Sequence, residues 1–276
     1  PGTQVEDETL QYINMPQGME TFRPPILPEP EELVGHEQAH LALRDVLACL
    51  GATRSDGRNR SIDLTRLPAE DLKLINQVMG EGEVSAQVRT EGDAAHHVAV
   101  QESVFAGVWR VIVSDDGRVV SDTIEVGAIP QVLRTSAADD LWFTVPRWQG
   151  ALPPNVQNAP ALLAEIEDQW RGWKPGKPAH VVNLTLLPMS NEDIGFMDHH
   201  LGTGRVLILS RGYGNCRITN TRVPNTWRVV YYNSQDVVIL NTVEVSALPE
   251  VALAAKEDLE DSFERLTEVL AWVEGD

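Results

Sequence analysis

The stretch from Gly202 to Glu250 carries about four strand-like segments punctuated by Gly, Pro and Asn, and a degenerate copy of it lies near Gly80–Pro130. Gly80-Glu81-Gly82-Glu83-Val84 matches Gly202-Thr203-Gly204-Arg205-Val206. Val108-Trp109-Arg110-Val111 matches Thr226-Trp227-Arg228-Val229, and Thr123–Pro130 (TIEVGAIP) matches Thr242–Pro249 (TVEVSALP). The offset is 122 residues at the first match, 118 at the second and 119 at the third. Loop-length changes between two copies of one unit produce such drift. A repeat constrains architecture more than any single motif. At 276 residues it predicts two related units rather than one large domain.

Periodicity fills in the units. Residues 1–30 are acidic and Pro-rich and read as extended or disordered. Residues 31–60 read as an N-terminal helix over Glu31–Leu50, closed by Gly51, and a polar loop over Thr53–Arg60. The first repeat, 61–138, opens with a short strand at Ile62–Leu64 and a helix over Ala69–Met79. Strands then follow at Val84–Arg89, Val98–Gln101, Val108–Ser114 and Val119–Val126. Asp116-Gly117 supplies the positive φ of a tight hairpin turn, and Pro130–Ala138 reads as a short helix. Residues 139–178 form a linker with a helix over Ala159–Trp170. The second repeat, 179–276, runs through a buried strand at Val181–Leu186, a helix near Glu192–Leu201, four strands and a terminal helix. In that helix Leu259, Phe263, Leu266, Leu270 and Val273 make one narrow stripe, suited to packing on the sheet or on another helix. The fold class is α+β: two tandem units, each a roughly four-stranded antiparallel sheet with flanking helices, plus N- and C-terminal helices.

Charge excludes some partners. The net charge is −19, with −6 in residues 1–35 and −7 in residues 250–276. Nucleic acid, which demands a basic patch, is not expected as a partner. No apolar run approaches the roughly 18 residues of a membrane span, and no secretory-type segment opens the sequence. The two cysteines, Cys49 and Cys216, have no paired spacing. The chain therefore reads as soluble, cytoplasmic and not an integral membrane protein.

Motifs with chemistry are sparse. The Gly-x-Gly words at Gly80 and Gly202 follow helices instead of opening them, so they read as helix C-caps and not as phosphate cradles. Doublets such as His96-His97 and His199-His200 seldom chelate by themselves, because adjacent side chains diverge. His36 and His40 have the i,i+4 spacing of two ligands but no evident third. Cys216 lacks a positioned His or a nucleophile elbow. No metal, cofactor or catalytic residue is expected. The paired positions Trp109 and Trp227, each followed by Arg, and Glu125 and Glu244 leave two readings open. Either Trp fills each core while Arg–Glu pairs stitch exposed faces, or the outer faces present aromatic and charged groups to a partner.

The words Leu201-Gly202-Thr203-Gly204, Arg211–Ile218 (RGYGNCRI), Trp227–Ser234 (WRVVYYNS), Asn241–Val245 (NTVEV), Pro249–Val251 and Ala254–Asp258 (AAKED) resemble the HupH/HyaF/HoxQ family of hydrogenase expression/formation proteins. Met79–Ser85 and Glu102–Val111 of the first copy agree, so the resemblance runs over roughly residues 60 to 275. It implies an accessory, non-enzymatic chaperone or scaffold in maturation of the iron–sulfur small subunit of an uptake nickel–iron hydrogenase. Its implied partners are that subunit's precursor with its twin-arginine leader, before export and especially in the presence of oxygen, and a thioredoxin-like accessory protein. The alternative is a metal- or iron–sulfur-handling protein of the same pathway. The expected contact residues are Tyr213, Asn215, Cys216, Arg217, Trp227, Arg228, Tyr231, Tyr232 and Glu244, with Trp109 and Glu125 in the first copy. Acidic ends suit a basic leader, and an open sheet edge suits an extended chain.

Overall fold

The computed structural model describes residues 35–89, 96–212 and 214–274. The segment expected to be extended over residues 1–30 lies outside them. The first half contributes α1 (Glu37–Asp56), β1 (Arg60–Asp63), α2 (Ala69–Met79), β2 (Val84–Val88), β3 (His97–Glu102), β4 (Val108–Asp115), β5 (Arg118–Val126) and α3 (Gln131–Asp139). The second contributes α4 (Ala159–Arg171), β6 (His180–Asn183), α5 (Asn191–Leu201), β7 (Val206–Ser210), β8 (Asn215–Asn220), β9 (Thr226–Tyr232), β10 (Val238–Val245), a 3₁₀ turn at Glu250–Ala252 and α6 (Lys256–Glu274).

The class is α+β, but the strands do not form two four-stranded sheets. All ten join one antiparallel sheet in the order β1-β5-β4-β3-β2-β7-β8-β9-β10-β6. The joint is the β2–β7 pair, in register from Val84 opposite Ser210 to Val88 opposite Val206. Read inward from either edge, the order is the same: a short strand, then a four-strand meander taken last to first.

Local chemistry explains most boundaries. Gly80 and Gly202 end α2 and α5 at φ 53° and 64°, their N–H groups each reaching the carbonyl four residues back at 2.9 Å. Asp116 and Gly117 take φ of 48° and 73° and turn β4 into β5. Two expectations are corrected. Gly51 does not stop α1, which continues to Asp56 and absorbs the start of the polar loop. A Cβ at Gly51 would sit 3.2 Å from the Phe263 ring, so this glycine marks where α6 approaches closely. β6 is an edge strand, not a buried one: Val182 alone faces the core while Val181 is 52% exposed.

Alternation along the strands gives the sheet two faces. On the front, α1, α2 and α6 cover one end around Val108, Ile124 and Val126. On the same face α4 and α5 cover the other end around Val182, Val243 and Val245. On the back, Ile129, Leu133, Leu248 and Ala252 from α3 and the 3₁₀ turn seal a central core. That core holds Val84 and Ala86 of β2, Trp109 of β4, Val206 and Ile208 of β7 and Trp227 of β9.

The helices cross over. α3 follows the first five strands yet packs on both β2 and β7, and Asp140 after it accepts from Arg205 and Asn220 of the second half. α6 follows the second five strands yet packs on α1, with Ser262 Oγ donating to Ala106 O at 2.9 Å.

Candidate functional site

Strand alternation sorts the expected contact residues by face. Trp109, Glu125, Cys216, Trp227, Tyr231 and Glu244 lie on the back, whereas Asn215, Arg217, Arg228 and Tyr232 lie on the front. Tyr213 lies outside the described residues.

The back group is largely structural. Trp109 is fully buried, and Trp227 and Cys216 are 4% and 3% exposed, which leaves them no surface to offer a partner. Burial pushes the Cys216 thiol up to about 12 and the phenol of its cross-strand neighbour Tyr231 likewise to about 12, so neither ionises near neutrality. Glu125 Oε1 accepts from Asn59 Nδ2 at 2.6 Å and from the Gln131 N–H at 2.8 Å, fixing the start of α3. Glu244 sits opposite Trp227, its pKa raised by burial, and accepts from Ser246 Oγ at 2.8 Å. The expected Arg–Glu stitching does not form, because Arg110 and Arg228 point to the face opposite these glutamates. Arg110 instead pairs with Asp122 and donates to Asn76 Oδ1 of α2 at 2.6 Å. Arg228 stands 3.1 Å from Asp198 Oδ1 of α5. Each half thus ties its third meander strand to the last turn of its own helix.

Between α2 and α5 the front face forms a floor. One row crosses it in register: Arg110, Gln101, Ser85, Leu209, Arg217 and Val230. All six are part-exposed. The Arg217 guanidinium lies 5.4 Å from the Tyr232 ring centroid, and its buried Nε has no hydrogen-bond partner among the described residues. Partial burial, and after it the Arg217 charge, press the Arg89 pKa down, so the two cations share this floor. Neither has a carboxylate partner among the described residues, in a chain of net charge −19. Asn215, exposed, pairs across to Tyr232 at the rim. Such a floor suits an extended segment carrying hydrogen-bond acceptors or negative charge. Arg89 was not singled out in the sequence, although its place two residues beyond Gln87 on an alternating strand assigns it to this face.

The histidines are dispersed. His200 is buried, its Nδ1 at 2.8 Å from Phe196 O and its ring stacked on Phe196, while His96 and His97 are exposed. His36 lies 3.8 Å from Asp71. Among the described residues no group of three or more His, Cys, Asp or Glu is arranged to hold a metal. No helix among them is long and apolar enough to cross a membrane.

The structure is thus an α+β protein built on one ten-stranded antiparallel sheet, with Arg89 and Arg217 on its part-exposed front floor. The sequence profile described as HupH hydrogenase expression protein, C-terminal conserved region, matches residues 37–147 and 156–273, and the chain belongs to this family. It is 56% identical over 276 residues to the hydrogenase expression/formation protein HoxQ of Cupriavidus necator, covering 99% of this chain and 95% of that one. It is 48% identical over 274 residues to the hydrogenase expression/formation protein HupH of Rhodobacter capsulatus, covering 98% and 94%. It is 30% identical over 281 residues to the hydrogenase-1 operon protein HyaF of Escherichia coli, covering 99% and 94%. A solved structure of the hydrogenase expression protein HupH from Thiobacillus denitrificans aligns with 41% of this chain and 95% of its own, at 25% identity and a TM-score of 0.39.

Proposed function

We propose that this protein acts in hydrogenase maturation as a non-enzymatic chaperone or scaffold that holds the precursor of the iron–sulfur small subunit before twin-arginine export. The observation that carries the reading is the open front floor with Arg89 and Arg217, in a chain whose relatives are named hydrogenase expression/formation proteins. In this reading the chain is two copies of one strand–helix–meander unit, joined edge to edge through β2 and β7. A basic leader would avoid the floor and meet acidic surface instead. α6 supplies such a surface, with Glu257, Asp258, Glu260, Asp261, Glu264, Glu268 and Glu274 against Lys256 and Arg265. A thioredoxin-like protein would join the same complex.

Hydrogen exchange on the full chain, with and without the small-subunit precursor, tests this. Protection is expected over β7, β8 and β9, and Arg217→Glu is expected to weaken the complex at least about tenfold, the effect of losing roughly 1.4 kcal/mol. Precursor that leaves exchange unchanged everywhere would remove the proposal. Loss of binding on deleting the leader alone would move the contact from the floor to α6.

A further inference from the structure

The matching glycines Gly80 and Gly202 set α5 against α2 at an offset of 122, so Phe196 answers Leu74, Asp198 answers Asn76 and His200 answers Val78. Asp198 and Asn76 keep one role, each meeting the arginine on the third meander strand of its own half. His200 departs from its counterpart. Val78 is fully buried in the core that α1 and α6 seal over α2, where an aliphatic side chain leaves nothing to satisfy. His200 is 6% exposed and brings an imidazole to the same helix face. In this half α4 packs on α5, and a pocket of about 290 Å³ remains between α4, α5 and residues 145–148.

The walls are aromatic and apolar: Trp148, Leu163, Trp170, Phe196 and Val223. The Phe196 and His200 rings stack at 4.2 Å between centroids, and Trp148 stands edge-on to both, at 5.2 and 5.9 Å. The charges at the rim answer one another, since Arg147 pairs with Glu167, which also accepts from Arg171 Nε at 2.8 Å. His200 Nδ1 lies 2.8 Å from the carbonyl oxygen of Phe196, so this nitrogen carries a proton and donates it. In the neutral ring Nε2 is then an acceptor, and it has no hydrogen-bond partner among the described residues. Because Nδ1 is turned back onto its own helix, Nε2 at the far edge of the ring faces away from the α5 backbone, toward the pocket that the ring lines.

A purely apolar ligand leaves that acceptor unanswered, and a charged one gives up water for apolar walls with no unpaired opposite charge to receive it. An aromatic ring with one N–H or O–H meets both conditions, packing against Trp148 and Phe196 while its donor reaches Nε2. A dry cavity of about 150 Å³ is enough for benzene, so about 290 Å³ has room for a phenol or an indole. We propose that this pocket binds an aromatic ring bearing one hydrogen-bond donor, a phenol or an indole, with His200 Nε2 as the acceptor. The pocket shares no lining residue with the front floor, so it stands whether or not that floor binds a precursor.

The test follows the imidazole nitrogens of the full chain in nitrogen-15 spectra at mildly alkaline pH, with His200 assigned through His200→Phe. The protein is titrated with p-cresol and indole, with their donor-free analogues 4-methylanisole and 1-methylindole, and with a capped peptide carrying one tyrosine. A saturable movement of the His200 Nε2 resonance is expected with p-cresol or indole, each binding at least tenfold more tightly than its methylated analogue. Tighter binding of the tyrosine peptide than of p-cresol assigns the ring to a polypeptide side chain, and the reverse order assigns it to a free small molecule. Leu163→Trp, at a part-exposed position of α4, should fill the pocket and abolish binding while the spectrum stays folded. His200→Phe should take p-cresol and 4-methylanisole equally; if that variant does not fold, the preference of the unaltered chain decides. Equal affinity for a donor ring and its methylated analogue would overturn the proposal, as would binding that leaves His200 Nε2 unmoved, unchanged affinity in Leu163→Trp, or no saturable response to any donor ring. A crystal structure with an ordered water on Nε2 that p-cresol leaves in place would do the same.

Discussion

Glu102 at the end of β3 is 6% exposed, and its Oε1 accepts the Gly107 N–H at 3.2 Å. Burial foremost, with the Glu83 and Asp258 charges behind it, raises its pKa from 4.5 to about 7 against the pull of backbone donors. The unfolded chain gives up this proton near pH 4.5 and the folded chain near 7, so between those values folding requires proton uptake. Stability is then greatest below the lower value and falls as pH rises, by roughly 1.4 kcal/mol per unit and about 3 kcal/mol in all. Asn220 fills the corresponding place at the end of β8 with no charge, accepting the Val206 N–H at 2.9 Å. Glu102→Gln is therefore expected to flatten stability between pH 5 and 7, and to raise the urea midpoint at pH 8, in denaturation series run at each pH. Asp193 has the opposite sign. Burial would raise its pKa, but N–H groups of Gln157, Asn158 and Ala159 at 2.8–2.9 Å, and Ser190, hold it at about 2. Its contribution is present above its unfolded value of 3.8 and is lost as pH falls toward about 2. Asp193→Ala strands three donors at the start of α4 and is expected to cost about 1–3 kcal/mol near neutrality. The difference should shrink in urea melts taken progressively below pH 4. Asp71 accepts the Ala39 N–H at 2.9 Å near the start of α1.

At the scale of elements, the docking of α6 on the first half depends on Gly107. Replacing it with Ala meets both a φ of 82° and the Leu259 side chain. Gly107→Ala is expected to cost about 2–4 kcal/mol from backbone strain and overpacking. Adding Leu259→Ala should relieve the steric part, making the double variant less destabilised than the sum of the singles in urea melts. Ala69–Met79 and the meander strands were readable because each carries its own period and stop signal: Gly80 after a helical stripe, Asp116-Gly117 between alternating runs. Gly51 reads as a stop for α1 because closeness to Phe263, 212 positions away, leaves no local trace. β6 reads as buried because a run of apolar residues does not say which strand ends at a sheet edge. Alternation would have split the expected contact residues into a front set with Arg217 and Tyr232 and a buried back set with Trp109 and Trp227. The cavity between Arg134 and Trp227, about 190 Å³, has no local signal, since it arises where α3 of one half meets β9 of the other.

That crossing governs the whole molecule. The repeat in the sequence predicts two related units, but neither half closes its own core. The central core takes strands from both halves under α3 and the 3₁₀ turn, and the first half's helical core includes Leu259, Leu266, Leu270 and Val273 of α6. Ala254 N–H bonds Ala128 O at 2.9 Å, and Arg265 reaches Val104 O at 3.2 Å, so the end of the chain is bound to its first half. Removing either half exposes the apolar surface of the other, so unfolding is expected to be one cooperative event. The two cysteines report on this independently. Cys49, part-buried, packs against the first core and Cys216 lies buried in the central one, and burial shifts both thiols up. A short alkylation pulse at mildly alkaline pH, across a urea series and read by mass spectrometry, gives each thiol its own unfolding curve. The two curves are expected to share one midpoint and one slope. Cys49 labelling ahead of Cys216 would show the α1–α6 end opening by itself, and the interlocked halves would then be held together by the β2–β7 ladder alone.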